Sequence, residues 1–180
     1  MKKTASSILL MFALFGCTAL LLSCTSKKTT TSLAPAKVAP EFDLENIRGG
    51  KTKSLEFKGK VAVVDFWATW CEPCKAEVPH FNKLYQDYQG KNVQVLGIAI
   101  ESPHEEIAPT VKKEGINYMV LVGNDNVVDG FGGVVGYPTT YIVTKDWKIY
   151  KKYLGALPDK ENRIRKDIDK LLAEEQTATD

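Results

Sequence analysis

Val61-Ala62-Val63-Val64-Asp65-Phe66-Trp67 runs directly into Ala68-Thr69-Trp70-Cys71-Glu72-Pro73-Cys74, and the change of character between the two halves decides the fold. The first half is a nearly continuous β-branched and aromatic run, as expected of a strand buried on both faces of a sheet. Beyond Cys74 the period turns helical. Val78, Phe81, Leu84, Tyr85 and Tyr88 recur on one face and Gly90 follows as a C-terminal cap, so a helix is predicted over 72–89. A second strand at 93–100 completes a strand–helix–strand crossover, which makes the two strands parallel and the class α/β.

Working outward, Ser102-Pro103-His104-Glu105 has the form of a capping box, with Ser102 at the N-cap and Glu105 at N3. It should open a short, irregular helix that Pro109 kinks or interrupts. A strand is expected at 118–122, a loose stretch at 130–136, and an antiparallel hairpin from 139–143 and 149–154 about the turn at 145–148. Ile164, Ile168, Leu171 and Leu172 recur at helical spacing after Asp159, a candidate N-cap, and predict a terminal helix packed on the sheet. Upstream, Phe42 to Leu44, the turn at 48–51 and Ser54-Leu55 read as a leading hairpin.

The N-terminus has a different character. Lys2 and Lys3 precede an apolar run over 8–22, which is shorter than the roughly 18–20 residues a membrane-spanning helix needs, so residues 1–23 are expected to be a signal peptide. Leu21-Leu22-Ser23-Cys24 resembles the lipobox of bacterial lipoproteins, which makes Cys24 the expected lipidation site and new N-terminus. Leu14-Phe15-Gly16-Cys17 is a poorer candidate because it would cut through the apolar run. Residues 24–40 are too polar to offset the entropy of ordering them and should be a tether. The domain is then expected at 41–175, with residues 176–180 a disordered tail. Two of the 24 basic residues, Lys2 and Lys3, fall in the segment expected to be removed, and the rest balance the 22 acidic ones. A neutral chain gives no electrostatic case for nucleic acid.

With Cys17 removed and Cys24 lipidated, Cys71 and Cys74 remain as the only thiols, too few for a disulfide framework. Their spacing on a helical turn brings the Cα atoms to about 5–6 Å, inside the window for a disulfide. Pro73 suits the first turn, where a missing N–H costs nothing, and it sets Cys71 at the helix N-terminus, where amide donors favour a thiolate. Cys71 is therefore expected to be the exposed nucleophile and Cys74 the buried resolving thiol. Glu72 between them should oppose thiolate formation and favour a reductant over an oxidant. An ionised Asp65 in an apolar strand is costly, so Asp65 should be protonated or exchange protons with a neighbour. Glu77, three residues beyond Cys74, shares its helical face.

The segment DFWATWCEPCKAEVP resembles the active-site region of the thioredoxin superfamily, in its TlpA/ResA-like extracytoplasmic branch. Ala39-Pro40-Glu41-Phe42, Gly136-Tyr137-Pro138-Thr139 and the closing strand pair with its helix extend the resemblance over about 38–172. It implies an α/β three-layer sandwich with a central mixed β-sheet and a segment inserted around 102–122. It also implies Cys71 as the attacking cysteine, Cys74 as the resolving one, and Pro138 as a cis-proline beside them. Trp70 would shield the disulfide and, with Tyr137 and Pro138, meet substrate. Asp65 matches the buried aspartate of thioredoxins and Glu77 the helix glutamate of the extracytoplasmic branch, which leaves open the carboxyl that serves Cys74. Pro79 matches the helix-kinking proline.

The resemblance further implies a membrane electron donor, and protein substrates with disulfides such as the CxxCH of apocytochromes c. No metal or organic cofactor and a monomer are expected. A CxxC is also half a zinc site, but His80 and His104 lack finger-like spacing. A thiol peroxidase, an oxidant and a metal-delivery protein are the competing functions. The PxxxTxxC pattern of peroxiredoxins is absent although Thr69 is near.

Overall fold

The computed structural model describes residues 37–176. The signal peptide, Cys17, the lipidation site Cys24, most of the tether and all of the tail beyond Gln176 lie outside the described residues.

Seven strands form one mixed sheet in the order β2-β1-β5-β4-β3-β6-β7. β3 (Val61–Trp67) is an interior strand, between β4 and β6, and is buried along its whole length, as its unbroken apolar character requires. It pairs in parallel with β4 (Val93–Ala99) across the crossover helix α1 (Glu72–Asp87). β4 pairs in parallel with β5 (Met119–Val122) across α2 (His104–Lys113), so the segment expected as an insertion supplies a strand and its crossover helix. β6 (Thr139–Val143) and β7 (Ile149–Leu154) form the expected hairpin, whose β6 is antiparallel to β3. β1 (Asp43–Asn46) and β2 (Lys51–Lys53) are the leading hairpin, with β1 antiparallel to β5.

Alternation along β3 divides the core. Val61, Val63 and Trp67 face a cluster with Val78, Phe81 and Leu84 of α1, Ile107 of α2, and Ile164 and Ile168 of α4 (Lys160–Gln176). Ala62, Val64 and Phe66 face the other layer, where Phe42, Phe57 and Trp147 pack ring against ring. The three layers of the expected sandwich are therefore present.

Several local expectations need correction. α1 ends at Asp87, two residues before the expected limit. Pro103, with no side-chain cap, precedes α2, because the Ser102 hydroxyl is engaged by the Thr69 amide and the Ile100 carbonyl. Asp159 stands just before α4 in the left-handed region (φ 61°), and its carboxylate accepts from the Asn162 side-chain amide. A short helix, α3 (Asp125–Gly130), capped by the Asn124 side chain, was not predicted. The fold begins before residue 41, since Val38 bridges to Lys148 and Ala39 is buried.

Candidate active site

The end of β3 delivers the chain to Cys71, the N-cap of α1. Its sulfur accepts a hydrogen bond from the Cys74 amide at 3.2 Å, as an N-cap side chain should satisfy one of the free donors of the first turn. Cys71 and Cys74 form a disulfide with Cα atoms 5.3 Å apart. Contrary to the expected exposure of Cys71, both cysteines are buried in this form, at 3% and 4%. Their asymmetry lies in the neighbouring surface: Cys71, with Trp70, Glu101, Val135 and Tyr137, lines an open trough of about 590 Å³, whose lining does not include Cys74. Glu72 points outward and is held by Lys75 at 2.8 Å, so much of the negative charge expected to act on Cys71 is compensated. That ion pair also holds the Glu72 carboxyl below its ordinary range.

The walls of the trough come from two loops. Trp70 is half exposed and donates its indole N–H to the Glu101 carbonyl at 2.8 Å, while its ring meets Tyr137 edge-on at 5.6 Å. The Tyr137–Pro138 bond is cis, as the resemblance implied. Burial and then the Glu101 carboxylate push the Tyr137 phenol up to about 12. Thr69 is fixed through both its groups: its amide donates to the Ser102 hydroxyl at 2.9 Å, and its hydroxyl to Glu106 at 3.1 Å.

Three buried ionisable side chains, Asp65, Glu77 and Lys160, lie close enough to act on one another. Asp65, 2% exposed, accepts a 2.6 Å hydrogen bond from the Thr140 hydroxyl. Its register partner across the sheet is Thr140 itself. Burial raises the Asp65 carboxyl to about 7, opposed by Lys160 and Thr140 and assisted by the Glu77 charge. Glu77 and Lys160 form an ion pair at 2.8 Å with both side chains buried. By alternation Asp65 faces the layer that holds Cys71, Cys74 and α1.

Sequence reasoning named both carboxylates but missed their cation. Lys160 stands one helical turn before Ile164, on the apolar stripe of α4, and a lysine at such a position was the available signal. Thr140, Ser102 and Glu101 were also missed, because their roles depend on strand register and loop course. His80 and His104 pair with Glu161 and Glu45 at the exposed surface. Among the described residues no cluster of His, Cys, Asp or Glu could hold a metal ion.

A dithiol able to close into a disulfide at the head of a helix, set on this sheet, defines a thioredoxin-fold thiol-disulfide oxidoreductase. The chain belongs to the AhpC/TSA family, which matches residues 35–152. It is similar to the thiol-disulfide oxidoreductase ResA of Geobacillus thermodenitrificans, 29% identical over 127 residues that cover 71% of this chain and 73% of the relative. It is also similar to the thioredoxin-like protein YneN of Bacillus subtilis, 30% identical over 94% of this chain and 99% of that one. Among solved structures, the thioredoxin domain of a thiol-disulfide oxidoreductase from Bacteroides vulgatus superposes with a TM-score of 0.67 at 26% identity, covering 76% of this chain and 99% of that one.

Proposed function

We propose that this chain reduces disulfides of extracytoplasmic proteins by dithiol exchange through Cys71 and Cys74, while a lipid on Cys24 holds it to the membrane. The observation that carries the exchange reaction is the unequal placement of the two sulfurs: the trough is lined by Cys71 and not by Cys74, which sits in the core layer between the sheet and α1. The Cys71 thiolate attacks a substrate disulfide, forming a mixed disulfide and releasing one substrate thiolate, which takes up a proton. Cys74 then gives up its proton, its thiolate attacks the Cys71 sulfur, and the second substrate thiolate leaves and is protonated. Two electrons pass from the dithiol to the substrate, so the exchange needs no metal or organic cofactor.

The trough suits an extended polypeptide: Trp70 and Tyr137 offer an aromatic wall, and the backbone beside cis-Pro138 can pair with a strand. Apocytochromes c, with their CxxCH segments, are one substrate class for such a protein, and a membrane electron donor would restore the dithiol. The relatives named as thiol-disulfide oxidoreductases support the reaction class. Among the described residues no helix is long and apolar enough to cross a membrane. The proposed attachment rests on the lipobox-like Leu21-Leu22-Ser23-Cys24.

The test is reduction of insulin disulfides by the dithiol form. Wild type should be active and Cys71→Ser inactive, and a Cys71→Ser protein that still reduces insulin would remove the reading. A reduction potential near or above about −150 mV would reverse the direction to oxidant. Cys24→Ser should move the protein from the membrane fraction to the soluble one, and unchanged fractionation would refute the anchor.

A further inference from the structure

The Asp65, Glu77 and Lys160 cluster poses a chemical question: two buried carboxylates stand near one buried ammonium, and only one of them is paired to it. Lys160 Nζ lies 2.8 Å from Glu77 Oε2, is 3.4 Å from the Gly155 carbonyl, and sits 5.6 Å from the centre of the Phe81 ring. Each of these contacts favours a cation. The pair is anchored from two helices, Glu77 from α1 and Lys160 from the first turn of α4. Asp65 has only the neutral Thr140 hydroxyl as a hydrogen-bond partner among the described contacts.

We propose that Lys160 is a positioning residue for the resolving half of the exchange: by engaging Glu77 in a buried ion pair it leaves Asp65 as the group that takes the proton from Cys74. The inference rests on the reaction proposed above and assigns its acid–base step. In that step the Cys74 S–H bond breaks and the proton passes to the Asp65 carboxylate. The Cys74 thiolate forms a bond to the Cys71 sulfur, and the bond between Cys71 and the substrate breaks with the electron pair on the leaving thiolate.

Burial supports this division of labour. A carboxylate ion-paired within a low-dielectric layer is held in its charged form, whereas one with a neutral partner can change protonation at modest cost. The other groups near the cluster are placed to leave it undisturbed. Tyr118, just before β5, is fully buried, and its phenol is raised well above its ordinary value, first by burial and then by the Asp65 and Glu77 charges, so it stays neutral. At the solvent end of the cleft beside Glu77 and Lys160, His80 and Glu161 pair with each other at 2.7 Å. Lys160 also lowers and Glu77 raises the Asp65 carboxyl, so removing either partner should move its titration in opposite directions.

The opposite signs supply the experiment. Reduced protein carrying Cys17→Ser and Cys24→Ser, so that Cys71 and Cys74 are its remaining thiols, mixed with 5,5′-dithiobis(2-nitrobenzoate) should release two nitrothiobenzoate ions in sequence, the first on attack by Cys71 and the second on attack by Cys74. The second phase is followed by stopped-flow absorbance between pH 5 and pH 9. Lys160→Met should move the midpoint of its pH profile upward by about one pH unit, slowing the second phase about fivefold at pH 7. Lys160→Arg should restore the midpoint, and Glu77→Gln should move it downward while the phase persists. Asp65→Asn should abolish the dependence on this midpoint. The proposal is overturned if Glu77→Gln removes the midpoint while Asp65→Asn keeps it, or if Lys160→Met and Glu77→Gln both leave it where it was. Should Lys160→Met fail to fold, the Glu77→Gln and Asp65→Asn profiles decide alone. Failure of the underlying reaction reads differently: Cys71→Ser would then still reduce insulin.

Discussion

The Thr69 amide donates a 2.9 Å hydrogen bond to the Ser102 hydroxyl, tying the loop before Cys71 to the loop after β4. The Ser102 hydroxyl in turn donates a hydrogen bond to the Ile100 carbonyl at 3.0 Å, so a single hydroxyl joins the two segments. Ser102→Ala should leave the Thr69 amide without its partner and lower stability by about 1 kcal/mol. Denaturant unfolding checks the value, and insulin reduction should fall in parallel as the Cys71 loop loosens. A variant with unchanged stability and activity would show that the tie has no mechanical role.

Asp65 offers a prediction in pH. Its carboxyl is raised to about 7 in the folded state from an ordinary 3.8, so the folded protein binds a proton more readily than the unfolded chain. The carboxyl therefore costs nothing below pH 3.8. Its cost grows as pH rises from 3.8 to 7, and it is complete above 7. Asp65→Asn, which can still accept from Thr140, should raise stability by roughly 2 kcal/mol or more at pH 8 and by little at pH 4. Thermal unfolding at the two pH values measures the difference, and an equal gain at both would contradict the burial argument.

Glu72 and Lys75 form a charge pair at the mouth of the site. Reversing the first charge with Glu72→Lys should favour the Cys71 thiolate and so raise the reduction potential, on the order of 20 mV. Equilibration against glutathione reads the shift. Because the pair is exposed, the effect should shrink in high salt, and a shift that ignores salt would point to a change of conformation instead.

Trp70 makes its wall of the trough with Tyr137 and is half exposed. Trp70→Ala should therefore weaken capture of a protein substrate, raising KM about tenfold with little change in melting temperature. A small disulfide reagent, which needs no wall, should react with the variant nearly as fast as with wild type. Equal losses for both substrates would place Trp70 in the chemistry instead.

The legibility of this chain follows from which forces act locally. β3 could be read from Val61 to Trp67 because a strand buried on both faces must be apolar throughout, and the head of α1 from Cys71-Glu72-Pro73-Cys74 because the first turn tolerates proline. Ser102 was misread: Ser-Pro-His-Glu has the local form of a cap, but the hydroxyl found a stronger claim on it from a loop 33 residues away in sequence. Asp125–Gly130 escaped because a six-residue helix carries less than two turns of periodicity. Lys160 escaped because its significance depends on Glu77, 83 positions earlier. The burial of Cys71 was misjudged because helix position fixes where a sulfur starts, while its enclosure depends on loops brought in from elsewhere.

The bridge from Val38 to Lys148 gives the molecule a front and a back. Lys148 belongs to the turn at the far end of β6 from Pro138, and β6 spans five residues, so the polypeptide joins the domain roughly 17 Å behind the reactive edge. Residues 37–40 therefore enter the fold away from cis-Pro138, and none of them lines the trough beside Cys71.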